Sequence, residues 1–205
     1  MSSPRIQMAL GPRFNEAFVF AAEKHAGQTR KRTAVPYISH LMGVASLVLE
    51  GGGGEDEAVA ALLHDVVEDC GGYPMLEEVR RCFGDRVATI VDGCTDSYAV
   101  PKPEWKQRKM EYLDGLDQAG NDIRLVSAAD KLHNARTILA DYRQEGDAIW
   151  DRFNGRRDGT LWYYRSVLEV LQKGKPNRLI DELENVVTQL ETLVNKSNAL
   201  TTSLP

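Results

Sequence analysis

Cysteine is scarce in this sequence: there are only three, Cys70, Cys82 and Cys94, and none forms a CxxC pair. An odd, scattered set cannot complete a disulfide framework, and it lacks the paired thiolates of a typical structural zinc site. The pattern instead favours a reducing compartment, and we predict a cytoplasmic protein.

Long apolar runs and an excess of positive charge are also missing. No stretch approaches the length of a membrane span, and the N-terminus has no signal-peptide core, so we expect no membrane partner. The formal net charge of -5 argues against a general role in binding nucleic acid or membrane surfaces. An anionic ligand would therefore need a local cluster of basic residues.

Period-two alternation, which marks half-buried strands, does not occur between turn signals, whereas helical spacing recurs almost throughout the chain. The predicted helices cover residues 13–26, 39–50, 55–68, 73–83, 85–95, 105–116, 122–142, 158–171 and 179–194. We predict an all-α bundle of about nine helices with no sheet. The 205 residues fit a single domain, residues 1–195, followed by a disordered tail at residues 196–205.

One stretch, ALLHDVVEDC at residues 61–70, places four hydrophilic groups in an apolar helical environment. His64, Asp65, Glu68 and Asp69 lie within six residues, and burying three unpaired carboxylates would be very costly. Residues i and i+4 share a helix face, so His64 is paired with Glu68 and Asp65 with Asp69. This pattern predicts that the carboxylates face a cation or a reacting group.

Two other predicted helices offer matching chemistry. His40 opens an apolar helix in PYISHL, and Asp130 lies in SAADKLHNAR with Asn134 one turn later. With His64 and Asp65 they form a set of two imidazoles and two carboxylates, which suits Mn²⁺, Fe²⁺, Co²⁺ or Zn²⁺. A single His or Asp in such a helix is usually structural, but the adjacent His-Asp pair with Glu-Asp one turn later favours a metal site.

A basic loop precedes His40. Arg30, Lys31 and Arg32 stand in QTRKRTAVPYISH, and in an acidic protein they form a local cationic cluster. Arginine and lysine side chains bind phosphate oxygens. Alone, the loop would be interpreted as a solvated turn, but beside a metal site it indicates a metal-dependent reaction on a phosphorylated small molecule.

Four segments resemble, in order and spacing, the hydrolase domain of RelA/SpoT homologues: AAEKHAGQTRKRTAVPYISHLMGVASLVLE, AALLHDVVEDC, FGDRVATIVDGCTD and AADKLHNAR. The similarity covers residues 14–138 strongly and the last helices weakly, and the length resembles that of a stand-alone small alarmone hydrolase. The resemblance implies an all-α HD-domain fold and one Mn²⁺. It also implies hydrolysis of the 3′-pyrophosphate of ppGpp or pppGpp, giving GDP or GTP plus pyrophosphate.

The resemblance further implies roles for individual residues. It places the metal ligands at His40, His64, Asp65 and Asp130, and the acidic pair that activates the water at Glu68 and Asp69. It places substrate contacts at Arg30 and Lys31, with Asn134 near the nucleoside and Lys102 near the phosphates. Arg156 and Tyr163 match the family less closely.

Two segments depart from the family pattern: the chain reads DGCTDS where bifunctional members read DGVTKL, and it continues with YAVPKPEWKQRKMEYL. Other 3′-phosphorylated nucleotides, including ppApp and NADPH, therefore stay open as substrates. One alternative is a different HD nucleotidase or phosphodiesterase, but the basic loop argues against it. The other is a degenerate regulatory module, which the intact set of four proposed metal ligands and two acidic residues argues against. A homo-oligomer and an antitoxin role are compatible with the sequence, which decides neither.

Overall fold

The structure, a computed structural model, describes residues 10–99 and 101–202. These residues form ten α-helices and one 3₁₀ helix, without any strand beyond an isolated bridge between Thr29 and Pro36. The helices are α1 (Pro12–Lys24), α2 (Ile38–Glu50), α3 (Glu55–Leu63), α4 (Val66–Cys70), α5 (Gly72–Phe83), α6 (Asp85–Cys94), α7 (Trp105–Gln118), α8 (Asn121–Glu145), the 3₁₀ helix (Gly146–Arg152), α9 (Arg156–Gln172) and α10 (Arg178–Thr202). The predicted all-α class is confirmed.

Local sequence explains several helix ends. Pro12 occupies the first turn of α1, where a missing N–H leaves no intrahelical hydrogen bond unmade. The side chain of Glu57 accepts a hydrogen bond from the N–H of Gly54 at the start of α3. Gly84 separates α5 from α6 with φ at 92°, a left-handed conformation that glycine adopts without strain.

The third helix differs from the prediction. The sequence predicts one helix over residues 55–68, but α3 ends at Leu63 and α4 begins at Val66, with His64 and Asp65 in the turn between them. Consecutive side chains on a continuous helix diverge by about 100°. The turn brings the Nε2 of His64 to within 3.0 Å of the Oδ2 of Asp65, so both side chains point to one centre.

The last helix is also longer than predicted. Helix α10 continues to Thr202, so residues 196–202 of the expected tail are helical, while residues 203–205 lie outside the described residues. Its buried apolar residues recur every three or four positions and pack on α8 and α9: Leu179, Leu183, Val187, Leu190 and Val194.

Helix α8 lies at the centre of the bundle and packs against α2, α3, α6, α9 and α10. Most of the side chains between these helices are apolar, yet His40 of α2 and Asp130 of α8 are only 1% and 7% exposed. His64, at the end of α3, is 2% exposed. None of the described helices is long and apolar enough to cross a membrane.

Candidate active site

Four side chains from α2, α8 and the turn between α3 and α4 converge at one buried point. The Nε2 of His40 lies 3.2 Å from the Oδ1 of Asp130 and 3.5 Å from the Oδ2 of Asp65. The Nε2 of His64 lies 3.0 Å from the Oδ2 of Asp65 and 3.7 Å from the Oδ1 of Asp130. The fold therefore brings together all four residues predicted to be metal ligands.

The unmet hydrogen-bonding capacity of this cluster fits a cation. The Nε2 atoms of His40 and His64 are buried and make no hydrogen bond to any described residue, although carboxylates lie close to both. Buried polar atoms are normally paired, so two orphans facing one point indicate a missing partner. The Nδ1 of His64 lies 2.8 Å from the carbonyl oxygen of Ala61. If Nδ1 donates this hydrogen bond, the lone pair of Nε2 is free to coordinate a metal.

The electrostatics of the cluster point the same way. Burial by itself lowers the pKa of His64, but the carboxylates of Asp65 and Asp130 outweigh burial and raise this pKa well above its ordinary value. Burial by itself raises the pKa of Asp65 and Asp130, but the charges of His64 and Lys131, respectively, hold both well below their ordinary range. The centre thus favours positive charge. Without metal, a bound proton supplies that charge, and a divalent ion would displace the proton and supply the charge instead.

Three residues that the sequence analysis did not single out support the cluster. The hydroxyl of Tyr37 donates to the Oδ2 of Asp65 at 2.5 Å, and the Nζ of Lys131 donates to the Oδ2 of Asp130 at 2.5 Å. The Nδ1 of His133 lies 2.9 Å from the Nδ1 of His40. Contacts of this kind fix the orientation of metal ligands. Tyr37 lies three residues before His40, and His133 lies three residues after Asp130. This i,i+3 spacing was the sequence signal that could have identified both as neighbours of the ligands.

The protonation of His133 suits its place beside His40. Burial, followed by the positive charges of His40 and Arg30, lowers the pKa of His133 to about 4. His133 is therefore neutral at pH 7, and its Nδ1 can accept a hydrogen bond from the Nδ1–H of His40. With that hydrogen bond made through Nδ1, the Nε2 of His40 is the ring nitrogen that faces the carboxylates and would coordinate a metal.

The predicted acidic pair lies on α4 and is held by other segments. The Oε1 of Glu68 accepts a hydrogen bond from the Nζ of Lys102 at 2.6 Å, and its Oε2 accepts one from the N–H of Asp96 at 3.3 Å. The Oδ2 of Asp69 accepts one from the Nε2 of Gln28 at 2.8 Å, and burial raises the pKa of Asp69. Lys102, predicted to reach phosphates, thus lies directly beside Glu68.

Two cavities flank these residues and share four lining side chains, Lys31, Ile138, Phe153 and Tyr164. The first, here called the Lys109 cavity, has a volume of about 260 Å³ and is also lined by Glu68, Asp96, Arg108, Lys109 and Tyr163. The second, here called the Asp141 cavity, has a volume of about 320 Å³ and is also lined by Arg30, Tyr37, Asn134, Asp141 and Arg152.

The predicted substrate residues Arg30 and Asn134 connect the Asp141 cavity to the metal cluster. Arg30 donates to the Oδ1 of Asn134, whose Nδ2 donates to the Oδ1 of Asp130. The guanidinium of Arg30 also lies over the ring of Tyr37, 5.6 Å from its centroid.

The two residues that matched the family less closely differ in their placement. Tyr163 lines the Lys109 cavity, and its buried hydroxyl has no hydrogen-bond partner among the described residues. Arg156 is exposed, forms an ion pair with Asp151 and lines neither cavity.

A comparison with family models finds that the HD domain model matches residues 17–161. The guanosine-3′,5′-bis(diphosphate) 3′-pyrophosphohydrolase MESH1 of Xenopus tropicalis is 44% identical over 126 residues, which are 60% of this chain and 68% of that protein. The protein of the same name from Danio rerio is 40% identical, over 60% of this chain and 67% of that protein.

Solved structures share the fold as well. The structure described as "A metazoan ortholog of SpoT hydrolyzes ppGpp and plays a role in starvation responses" has a TM-score of 0.72 at 28% identity, covering 92% of this chain and 98% of that one. The lmo0812 protein of Listeria monocytogenes has a TM-score of 0.65 at 27% identity, covering 72% of this chain and 96% of that one.

These comparisons confirm the resemblance to RelA/SpoT-type hydrolases that four motifs predicted. An HD hydrolase domain implies a bound divalent metal, and the group of His40, His64 and Asp65, whose ligand atoms all lie within 4.8 Å of one another, provides a place for it. The family model matches more than half of the residues of this chain, and the chain therefore belongs to the HD-domain family.

Proposed function

We propose that this chain is a metal-dependent hydrolase that removes the 3′-pyrophosphate of ppGpp-like alarmone nucleotides, leaving GDP or GTP. The observation that carries the proposal is the pair of buried Nε2 atoms, on His40 and His64, that face two carboxylates beside a lysine-lined cavity. Relatives that bear the name of this activity match the chain over about two thirds of their length, which supports the same substrate class.

The residues that would hold the metal are His40, His64, Asp65 and Asp130. We propose Mn²⁺ as the ion, on the resemblance to the family, although Fe²⁺, Co²⁺ and Zn²⁺ suit the same donors. A divalent metal bound there would lower the pKa of a coordinated water and withdraw charge from a phosphoryl oxygen.

We propose that Glu68 or Asp69 orients the attacking water and takes its proton, as the resemblance to the family implies. Lys102 and the N–H of Asp96 each hold one carboxylate oxygen of Glu68, so the side chain has a fixed direction. Asp69, the next residue, has a pKa raised by burial, which brings it nearer to the pH at which a carboxyl group exchanges protons efficiently. In the reaction, the water oxygen joins the phosphorus, the bond to the ribose 3′-oxygen breaks, and that oxygen takes a proton.

Positive charge for the pyrophosphate comes from lysines. Lys31 and Lys109 line the Lys109 cavity, and Lys102 lies beside Glu68 near its edge. In a chain with a net charge of -5, such a local cluster is what a nucleotide carrying four or five phosphate groups requires for binding and for charge stabilisation.

We further propose that residues 1–195 form a single hydrolase domain and that the protein is cytoplasmic. The second proposal is supported by Cys70, Cys82 and Cys94, which are all free thiols, as a reducing compartment would keep them.

The proposal is tested by incubating the metal-loaded protein with ppGpp, pppGpp, ppApp, NADPH and cyclic nucleotides and separating the products by anion exchange. We expect pyrophosphate with GDP from ppGpp and pyrophosphate with GTP from pppGpp. Turnover of cyclic nucleotides alone would make the chain a phosphodiesterase, and tight binding of ppGpp without turnover would make it a regulatory module. An Asp65→Asn variant serves as the control for contaminating phosphatases.

A further inference from the structure

The Asp141 cavity has a charged end that the hydrolysis itself does not use. Asp141, near the end of α8, and Arg152, at the end of the 3₁₀ helix, both line it. The Nη1 of Arg152 donates to the Oδ2 of Asp141 at 3.0 Å, and a second guanidinium nitrogen pairs with Glu145, which does not line the cavity. The side chain of Arg152 is only 15% exposed, and the two carboxylates it contacts fix its direction.

The walls of this cavity suit a flat ring. They include the aromatic side chains of Tyr37, Phe153 and Tyr164 and the guanidinium of Arg30. Aromatic rings and planar guanidinium groups stack on nucleobases without depending on which base is present. The walls therefore explain affinity for a base but no preference among bases.

The opposite end of the cavity leads to the metal cluster. Asn134 lines the cavity and donates to the Oδ1 of Asp130, while Tyr37 lines it and donates to the Oδ2 of Asp65. A nucleotide with its 3′-pyrophosphate at the cluster therefore has this cavity beside its ribose. The base would extend between the aromatic walls toward Asp141 and Arg152.

We infer that Asp141, oriented by Arg152, makes the site selective for guanine over adenine nucleotides; the inference rests on the proposed function. The Oδ1 of Asp141 has no hydrogen-bond partner among the described residues, since Arg152 bonds to the other oxygen. A carboxylate only accepts hydrogen bonds, and an arginine only donates them.

Guanine matches this pair and adenine opposes it. The Watson–Crick edge of guanine carries N1–H and N2–H donors for a carboxylate and an O6 acceptor for a guanidinium. Adenine has an unprotonated N1, which would meet the carboxylate with like charge density, and an N6 amino group where guanine has its acceptor. A site built to hydrogen-bond one substrate rejects an analogue lacking that group far more strongly than an apolar pocket does.

The test compares kcat/KM for ppGpp and ppApp in the wild type, in Asp141→Asn and in Glu145→Gln. We expect the wild type to prefer ppGpp. Asp141→Asn keeps the size of the side chain but removes its charge and one acceptor. It should lower kcat/KM for ppGpp by about 10–100-fold, as expected when charged hydrogen bonds are lost, and leave ppApp nearly unchanged. Glu145→Gln removes the other partner of Arg152 outside the cavity and should keep the wild-type preference.

Inhibition by the products GDP and ADP gives a second measurement, which needs only the wild type and so does not depend on the folding of a variant. We expect GDP to inhibit more strongly than ADP. Equal kcat/KM for both nucleotides, equal losses for both in Asp141→Asn, or equal inhibition by GDP and ADP overturns the inference and leaves the proposed function standing. Release of pyrophosphate from neither nucleotide overturns the proposed function, and this inference with it.

Discussion

The Nδ1 atoms of His40 and His133 lie 2.9 Å apart, and a glycine on α2 makes room for that contact. A Cβ added at Gly43 would lie only 2.3 Å from the Cδ2 and Nε2 of His133. Gly43 is one turn beyond His40 on the same helix, whereas His133 belongs to α8. Close packing of these two helices therefore sets the hydrogen bond that orients a proposed metal ligand.

Gly43→Ala and His133→Ala should both weaken metal binding, the first by displacing the imidazole and the second by removing it. We expect affinity for Mn²⁺ to fall about 10–100-fold in isothermal titration, the range seen when outer contacts of metal ligands are lost. The control is Gly93→Ala, whose Cβ would lie 2.7 Å from the Cδ1 of Ile123 on another part of α8. It should destabilise the fold by about 1–3 kcal/mol yet leave metal affinity unchanged. Wild-type affinity in both test variants would contradict an orienting role.

The pH dependence of the metal-free protein gives a second prediction. Burial, with help from the charges of His40 and Arg30, lowers the pKa of His133 to about 4, so its NMR signals should titrate near that pH. The unfolded chain, with a histidine pKa near 6.5, binds more protons between about pH 4 and 6.5. The contribution of His133 to stability is therefore complete above that window and is lost as the pH falls through it. His133→Asn should flatten this part of the urea-unfolding profile, whereas a titration of His133 near pH 6.5 would refute the assignment.

Helical periodicity predicts the fold well because each helix buries one apolar face against its neighbours. It fails at His64 and Asp65 because the apolar pattern of residues 58–67 runs straight through the break. At the break, side chains from α2 and α8 meet the turn at one point. One sequence does not reveal that convergence, so the predicted continuous helix was wrong there.

The candidate site was likewise predictable from the sequence only in part. His40, His64 and Asp130 can be found in the sequence because such groups are unusual inside apolar helices. Asp141 and Arg152 give no comparable signal, since charged residues near a helix end are usually solvated. Only the packing of the 3₁₀ helix against α8 shows that both line a cavity.

Substitutions of Glu68 and of Asp65 should differ in their effects on the reaction rate and on the metal content. Glu68→Gln keeps the bound metal but loses the proton acceptor, so kcat should fall about 10²–10⁴-fold. Asp65→Asn removes an anionic ligand and should lower metal content together with activity. Atomic emission on the purified variants measures the metal, and chelation followed by addition of Mn²⁺ should abolish and restore turnover of the wild type. Loss of metal in Glu68→Gln would reassign that residue to metal coordination, and full activity of verified metal-free protein would remove the metal from the mechanism.

Lys31 and Arg32 are adjacent cations with different surroundings, which makes them a matched pair. Lys31 lines both cavities, and its Nζ lies 5.8 Å from the centroid of the Phe153 ring. Burial, followed by the charge of Arg32, lowers the pKa of Lys31. Both side chains are exposed, but Arg32 lines neither cavity. Removing either charge changes the net charge of the protein equally, so only a local contact can distinguish the two variants.

Lys31→Ala should raise KM for ppGpp and lower kcat/KM by about tenfold or more, the loss expected for a hydrogen bond to a charged group. It should also flatten the dependence of kcat/KM on salt, because a screened attraction has been removed. Arg32→Ala should keep both values near those of the wild type. Neither variant should change Tm appreciably, since exposed cations contribute little to stability. Steady-state kinetics between low and physiological ionic strength measure both effects. A KM for Lys31→Ala within about twofold of that for Arg32→Ala, inside the usual scatter of single charged contacts, would show that the loop is a solvated turn and leave the metal site unaffected.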